Sequence, residues 1–198
     1  MKSSNLDANF WENRYRNQET GWDLGTVSPP LKDYIDQLEN KDAAILIPGC
    51  GNAYEAEYLL NKGFTHVTLI DISPSLCEAI SSKLSAFIGR SLTVICDDFF
   101  KLKGRYDLVL EQTFFCALDP SLRSRYVDKM HEILEPGGKL AGVLFNRSFE
   151  GGPPFGGDTE EYRNLFKNLF KIRLIEPCYN SVPPRMGSEV FVILENKR

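Results

Sequence analysis

Histidine is scarce in this chain. Only two occur, His66 and His131, far apart and with no cysteine pair beside either. A zinc site of histidine and cysteine is therefore not expected. A serine or zinc hydrolase, which relies on imidazole, would be hard to assemble as well. The five cysteines are Cys50, Cys77, Cys96, Cys116 and Cys178; their number is odd and no two are spaced C-x-x-C. That disfavours a disulfide framework and points to buried free thiols in a reducing, cytoplasmic setting. Long apolar runs are missing too. Stretches such as Val190–Leu194 fall far short of the ~20 residues of a membrane-spanning helix. The opening MKSSNLDANFW has no apolar segment of the secretory type. Positive charge is in deficit, with 23 Lys and Arg against 27 Asp and Glu, a net of −4. Nucleic-acid backbones select basic faces, so that class of partner is disfavoured.

What is present is the composition of an ordinary folded domain: 198 residues, 42% hydrophobic and 25% charged. No internal repeat or long linker divides the chain, which is expected to form one domain over 1–198. From Ala43 onward short apolar runs alternate with helical patterns. The strand candidates are Ala43–Ile47, His66–Ile72, Leu92–Cys96, Tyr106–Glu111 and Lys139–Phe145. All but the third are near-continuous apolar runs, as parallel strands buried on both faces require. Ser73-Pro74 and Asp119-Pro120 each place a capping side chain before a proline suited to a first helical turn. Gly63, Gly89 and Gly137 follow helical runs, where a left-handed residue is wanted. After Asp119, the residues Leu122, Tyr126, Met130, Ile133 and Leu134 form a helical stripe that reads as core.

Alternating elements of this kind imply an α/β fold, a doubly wound and mostly parallel sheet. The end of the chain breaks the rhythm. A helix near Asp158–Leu169 precedes two further strands, Lys171–Pro177 and Glu189–Glu195, joined by a loop holding Pro183, Pro184 and Gly187. That connection is too short for a helical crossover, so the pair is expected as an antiparallel hairpin on the sheet edge, giving seven strands. Before the first strand, Leu31, Tyr34, Ile35 and Leu38 mark a helix capped by Ser28 and Pro29. An aromatic arm with Phe10, Trp11, Tyr15 and Trp22 leads into it.

The first strand runs into Pro48-Gly49-Cys50-Gly51-Asn52-Ala53, followed by a helix. Glycines at such a turn let backbone approach a ligand, and the helix N-terminus offers free amides. A lone G-x-G is also explained by a tight turn. Asp71, 22 residues after Gly49, strengthens the ligand reading. A carboxylate there can accept both hydrogen bonds of a ribose diol. The third strand ends in Cys96-Asp97-Asp98-Phe99, where a carboxylate beside an aromatic is suited to an adenine amino group and ring, or both aspartates are ordinary turn residues. Together these positions argue for an adenosine-containing cofactor.

At this point the sequence resembles the class I S-adenosylmethionine-dependent methyltransferases, and among them the thiopurine/thiol/halide methyltransferase family. The resemblance spans nearly the whole chain. It rests on WENRYRNQETGWDLGTVSPPL, LIPGCGNA, LIDIS, FFCALDPSLRSRY and GGPPF. The FFCALDPSLR and GGPPF segments look more like the thiol and halide branch. The resemblance implies S-adenosyl-L-methionine as cofactor, a Rossmann-like class I methyltransferase fold, and cofactor contacts at Trp11, Trp22, Gly49, Asp71, Asp98 and Phe99. Tyr15, Gly51, Glu111 and Gln112 join that candidate set, the last two turning polar groups toward the cofactor's amino-acid end. Tyr15 and Gln112 stand where plant halide enzymes have Trp and Tyr, departures that bear on the acceptor. Arg123 matches an arginine associated with the active site in the thiopurine branch; otherwise it reads as a surface helix charge.

Methyl transfer from a sulfonium is an in-line displacement that needs alignment and exclusion of water more than acid–base groups. A thiol near pKa ~8.5 already supplies thiolate close to neutral pH, which suits a chain poor in histidine. Phe114, Phe115, Arg123 and Phe155 are the candidate acceptor-pocket residues, and Cys116 reads as a buried thiol. The expected function is methylation of a small soft nucleophile: a thiol, hydrosulfide, thiocyanate or halide ion. The alternative is a thiopurine-type S-methyltransferase for heterocyclic thiols. A nicotinamide-dependent oxidoreductase is opposed by the missing third glycine and the closing hairpin, and a cofactor-binding regulator is the non-enzymatic rival. Residues 1–40 are expected to act as a cofactor lid on a core of 41–198, with no metal and no obligate protein partner.

Overall fold

Strands that are apolar on both faces must be covered on both faces, and the chain alternates its elements accordingly. The computed structural model describes residues 6–198; the first five residues of the expected lid lie outside the described residues. The elements are α1 (Ala8–Arg16), α2 (Pro29–Asp36), β1 (Ala44–Pro48), α3 (Tyr54–Asn61), β2 (His66–Asp71), α4 (Pro74–Lys83) and β3 (Leu92–Cys96). There follow β4 (Tyr106–Gln112), α5 (Arg123–Ile133), β5 (Leu134–Phe145), α6 (Thr159–Phe166), β6 (Phe170–Pro177) and β7 (Glu189–Asn196).

The seven strands form one sheet in the order β3-β2-β1-β4-β5-β7-β6. The first five are parallel, and β7 runs antiparallel between β5 and β6. Side chains alternate between two cores. Ile45 and Ile47 of β1 pack with Leu31, Ile35, Leu59, Leu76 and Ile80 from α2, α3 and α4. Leu46 turns to the opposite face, with Tyr126, Met130 and Ile133 of α5 and Phe166 of α6.

Several local expectations change in the folded chain. The arm is not wholly irregular: it forms α1, capped by the Asp7 carboxylate accepting from the Phe10 amide. Ser28 makes no side-chain cap on α2; its amide donates to Glu55 Oε1 at 2.9 Å instead. Asp119 caps a short 3-10 turn, Pro120–Leu122, and α5 begins only at Arg123. Within the expected core stripe, Leu122 is half-buried and lines a cavity described below. Strand β5 begins at Leu134, five residues before the apolar run, and so contains Gly137, still at positive φ. The buried Asn196 explains that extension: its amide donates to the carbonyls of Leu134 and Glu135 and holds this segment against β7. Four of the cysteines are buried as expected, whereas Cys96 is exposed at the end of the edge strand β3.

At the middle of the sheet Gly142 lies directly opposite Glu111. A Cβ added to Gly142 would stand 2.1 Å from the Glu111 carbonyl oxygen and 2.6 Å from Glu111 Cβ. Because the obstruction is backbone, Gly142→Ala is expected to destabilise the protein by roughly 1–3 kcal/mol, the range for overpacking a dense interior. Urea unfolding measures this; an unchanged midpoint would show that β4 and β5 can separate at no cost.

Candidate active site

In an open parallel sheet, neighbouring crossovers that leave in opposite directions part a crevice at the carboxyl ends of the strands. Here the order reverses between β1 and β4. A cavity of about 830 Å³ opens there, walled by Gly49 after β1, Asp71 ending β2, Asp98 and Phe99 after β3, and Phe114 after β4. Trp11, Tyr15 and Trp22 of the arm close it from above.

Gly49 has φ +56°, and a Cβ there would sit 2.3 Å from the Phe114 ring. Glycine is required for both reasons, and its absence of side chain brings backbone to the cavity surface. Asp71 is buried at the floor, where its Oδ1 accepts from the Ser73 amide at 3.1 Å. Burial pushes its carboxyl up to about 6, partly offset by amides including that of Gly51. The carboxylate can only accept, and backbone amides are the donors that meet it. Asp98 is half-buried and takes the Phe100 amide at 2.9 Å. Phe99 stacks edge-on against Phe114 with centroids 5.0 Å apart.

The arm is fastened by Glu12 of α1. Its Oε2 accepts from the Ser73 hydroxyl at 2.6 Å and the Ser75 amide at 3.2 Å, at the positive end of α4. These bonds, the Ser73 hydroxyl first, hold the Glu12 carboxyl down to about 2. So anchored, α1 presents Trp11 and Tyr15, whose rings meet Trp22 edge-on at 5.6 and 5.8 Å. Burial and the neighbouring Asp71 raise the Tyr15 hydroxyl well above its usual range, so it stays protonated.

Other candidates lie outside this wall. Phe115 is a core residue, packed on Tyr126, Tyr162 and Phe166 rather than facing the cavity. Arg123 is neither a cavity residue nor a surface charge. Buried, it pairs with Glu161, donates to the Gly156 carbonyl and lies over the Phe115 ring, tying α5 to α6. Phe155 is half-buried beside the cavity, its amide bound to the Cys116 carbonyl; the neighbouring Pro153 and Pro154 form the wall instead. Glu111 is fully buried and points away, accepting from the amides of Phe114 and Phe115 and from the Tyr126 hydroxyl. Burial raises its carboxyl to about 7. Gln112 and Gly51 line a small cleft adjoining the cavity, and Gln112 Oε1 is buried there without a hydrogen-bond partner.

The cavity also has a cationic side that no sequence motif announces. Arg185, from the loop between β6 and β7, is nearly buried; its Nη2 donates to the Trp22 carbonyl at 2.8 Å. Its Nη1 has no hydrogen-bond partner, with Glu189 Oε1 at 3.6 Å. Arg185 lies over Phe145, Phe145 meets Phe149 edge-on at 4.9 Å, and Arg147 lies over Phe149. All four line the cavity. No local motif marks Arg185, because only the fold brings its loop beneath Trp22. Among the described residues no group of three or more His, Cys, Asp or Glu could hold a metal.

A seven-stranded sheet of this order and an acid-and-glycine crevice define the class I S-adenosylmethionine-dependent methyltransferase fold. A solved structure of this kind is the Burkholderia thailandensis 1,6-didemethyltoxoflavin-N1-methyltransferase with bound S-adenosylhomocysteine. It superposes with a TM-score of 0.75 at 17% identity, covering 96% of this chain and 87% of its own. The family model described as Thiopurine S-methyltransferase matches residues 6–196, and the chain belongs to that family. It is similar to "Probable thiol methyltransferase 2" of Arabidopsis thaliana, with 31% identity over 186 residues, 90% of this chain and 81% of the relative. It is also similar to "Thiocyanate methyltransferase 1" of the same plant, with 27% identity over 189 residues, 93% of this chain and 83% of the relative. The cofactor is S-adenosylmethionine.

The acceptor-only carboxylate Asp71, which lines the cavity, and the unpartnered Gln112 Oε1 fit the hydroxyl and ammonium groups of that cofactor, and the close-packed Gly49 leaves backbone facing it. Since ligand donors favour the charged carboxylate and burial raises Asp71 to about 6, affinity should be full above that pH and fall below it. S-adenosylhomocysteine binding, read by calorimetry, is expected to weaken about tenfold from about pH 7.5 to about pH 5. Asp71→Asn should weaken it by ~1.5–3 kcal/mol at neutral pH and remove that titration. A folded variant with unchanged affinity would move the ribose contact elsewhere.

Proposed function

We propose that the chain methylates a small soft nucleophile, a thiol, hydrosulfide, thiocyanate or halide ion, as an S-adenosylmethionine-dependent methyltransferase of the thiol and halide type. When bound, the cofactor supplies an electrophilic methyl group on a sulfonium centre. Trp11, Tyr15, Trp22, Asp71, Asp98, Phe99 and Phe114 would hold it, and the aromatic faces near a sulfonium contribute roughly 0.5–2 kcal/mol.

The observation that carries the acceptor reading is Arg185 Nη1, a buried donor with no hydrogen-bond partner on the cavity wall. Its nearest acceptor is the Glu189 carboxylate, an ion pair at 3.6 Å, which leaves donor capacity that an anionic acceptor in the cavity would take up. No histidine lines the cavity, and a soft anion that is already ionised needs no base. The name of the thiocyanate-methylating relative supports the same class. A heterocyclic thiol is the second reading, supported by the family's description and by the π-faces of Phe114, Phe145 and Phe149 in one cavity. The proposal places the enzyme in the cytoplasm, in keeping with its free thiols, acting without an obligate protein partner.

The acceptor reading is tested with S-adenosylmethionine and a panel of iodide, thiocyanate, hydrosulfide, a small alkyl thiol and a heterocyclic thiol. Halide turnover should be nearly flat from about pH 6.5 to about 8.5, while thiol turnover climbs with the thiolate fraction. Arg185→Met should raise KM for the anions about tenfold or more, the scale of one lost charged hydrogen bond, and by more than it weakens S-adenosylhomocysteine binding, which it reaches only through the Trp22 carbonyl. Turnover of the heterocyclic thiol alone would select the second reading. Anion KM values indifferent to Arg185→Met would remove the cationic wall from the acceptor site.

We further propose that residues 1–40 act as a lid. Trp11 and Trp22 are the only tryptophans in the chain and both line the cavity, so emission reports the arm directly. Saturation with S-adenosylhomocysteine should shift that emission and slow tryptic cleavage at Arg14 and Arg16. Glu12→Ala, which unties α1 from α4, should speed cleavage in the free protein. If ligand leaves both emission and cleavage unchanged, the arm is a fixed wall.

A further inference from the structure

Two thiols outside the cavity, Cys77 of α4 and Cys96 of β3, face each other where that helix packs on that strand. Strand side chains alternate with period two, so Leu92, Val94 and Cys96 of β3 share a face. Leu92 and Val94 belong to the core that holds Leu76, Ile80 and Leu84, which places Cys96 on the α4 side. On α4, Cys77 lies one turn before Ile80, in the row that continues to Leu84. Cys77 and Cys96 thus form the uppermost layer of the same α4–β3 contact.

Distances agree with that placement. Cys77 Sγ lies 3.9 Å from the carbonyl oxygen of Ile95, the residue before Cys96, and 3.7 Å from that of Asp71. Asp71 is the register partner of Cys96 across β2 and β3. Cys96 is exposed and Cys77 is buried, an asymmetry suited to a sulfur that meets the oxidant and one that resolves it. Burial, with the facing Cys96 sulfur next, pushes the Cys77 thiol up to about 12, so it does not react first.

We propose that Cys77 and Cys96 are a reversible redox modification site that takes a hydroperoxide as oxidant. The Cys96 sulfur attacks the peroxide, the O–O bond breaks, and Cys96 becomes a sulfenic acid with release of water or alcohol. Cys77 then displaces the sulfenic oxygen: the S–S bond forms, and the Cys77 proton leaves with that oxygen as water. Two thiols are oxidised and one peroxide is reduced. The closed form takes the S–H donor from the Asp71 carbonyl and clamps α4 to β3 beneath the two carboxylates, Asp71 and Asp98, that wall the cavity.

The readout is chemical and independent of methyl transfer. Fully reduced protein is treated with a small excess of hydrogen peroxide, alkylated in denaturant and digested with trypsin without reductant. The expected product joins peptides 63–83 and 91–101, about 2 Da lighter than their sum, with two of the five free thiols lost and both regained with dithiothreitol. In Cys96→Ser, an exposed and conservative change, Cys77 should remain fully alkylatable after the same treatment. Cys96 recovered as sulfinic or sulfonic acid with Cys77 still free would overturn the proposal. So would Cys77 joined to Cys50, or five thiols untouched by peroxide.

Discussion

The apolar half of the active site hangs on one buried carboxylate. Glu111, fully enclosed near the end of β4, accepts from the amides of Phe114 and Phe115 and from the Tyr126 hydroxyl of α5. Two successive aromatic residues are thereby sent in opposite directions. Phe114 stands over the Gly49 turn, and Phe115 enters the core among Tyr126, Tyr162 and Phe166. Satisfied three times over, a buried carboxyl specifies one geometry; with a partner missing, it would be a serious penalty. The position of Phe114, and through it Phe99, follows from that tie.

The cavity is electrically divided. Asp71 and Asp98 stand at the ends of β2 and β3, while Arg147 and Arg185 come from the far side of the sheet, interleaved with Phe145 and Phe149. A parallel sheet produces the first group almost automatically, since residues at carboxyl ends of strands face the crevice. Phe145, at the carboxyl end of the parallel β5, and Arg147 and Phe149 just beyond it obey the same rule; Arg185 is there because the last two strands turn back as an antiparallel hairpin, delivering Pro183–Arg185 to the mouth. An adenosine-bearing cation beside carboxylates and an anionic acceptor beside guanidinium groups is a consistent distribution of charge for methyl transfer between them.

The arm lies over this cavity. Glu12 reaches across to the start of α4, and Arg185 reaches up to the Trp22 carbonyl. The roof is thus joined to both the cofactor side and the cationic side of the cavity. A segment held by a few polar ties rather than by a deep core is the kind of element that opens locally at low cost.

Much of this was legible in the chain because it rests on local rules. Buried parallel strands need continuous apolar runs, so β1, β2 and β4 announced themselves; a hairpin was forced by a connection too short for a crossover. Gly49 and Asp71 are set by a turn and a spacing, and both line the cavity. What depends on side-chain direction was not legible. Phe114 and Phe115 are identical neighbours in sequence, and Glu111 alone separates their roles. Arg123, in a helix with no mark of burial, is drawn inward by Glu161, 38 residues further along the chain. Arg185 gains its place from Trp22, 163 residues away. Sequence determined where backbone would run straight, turn and approach a ligand, since those are properties of neighbouring residues. Tertiary structure decided which polar groups would meet the cavity and which would be consumed in holding it, since a buried charge is settled by partners distant in the chain.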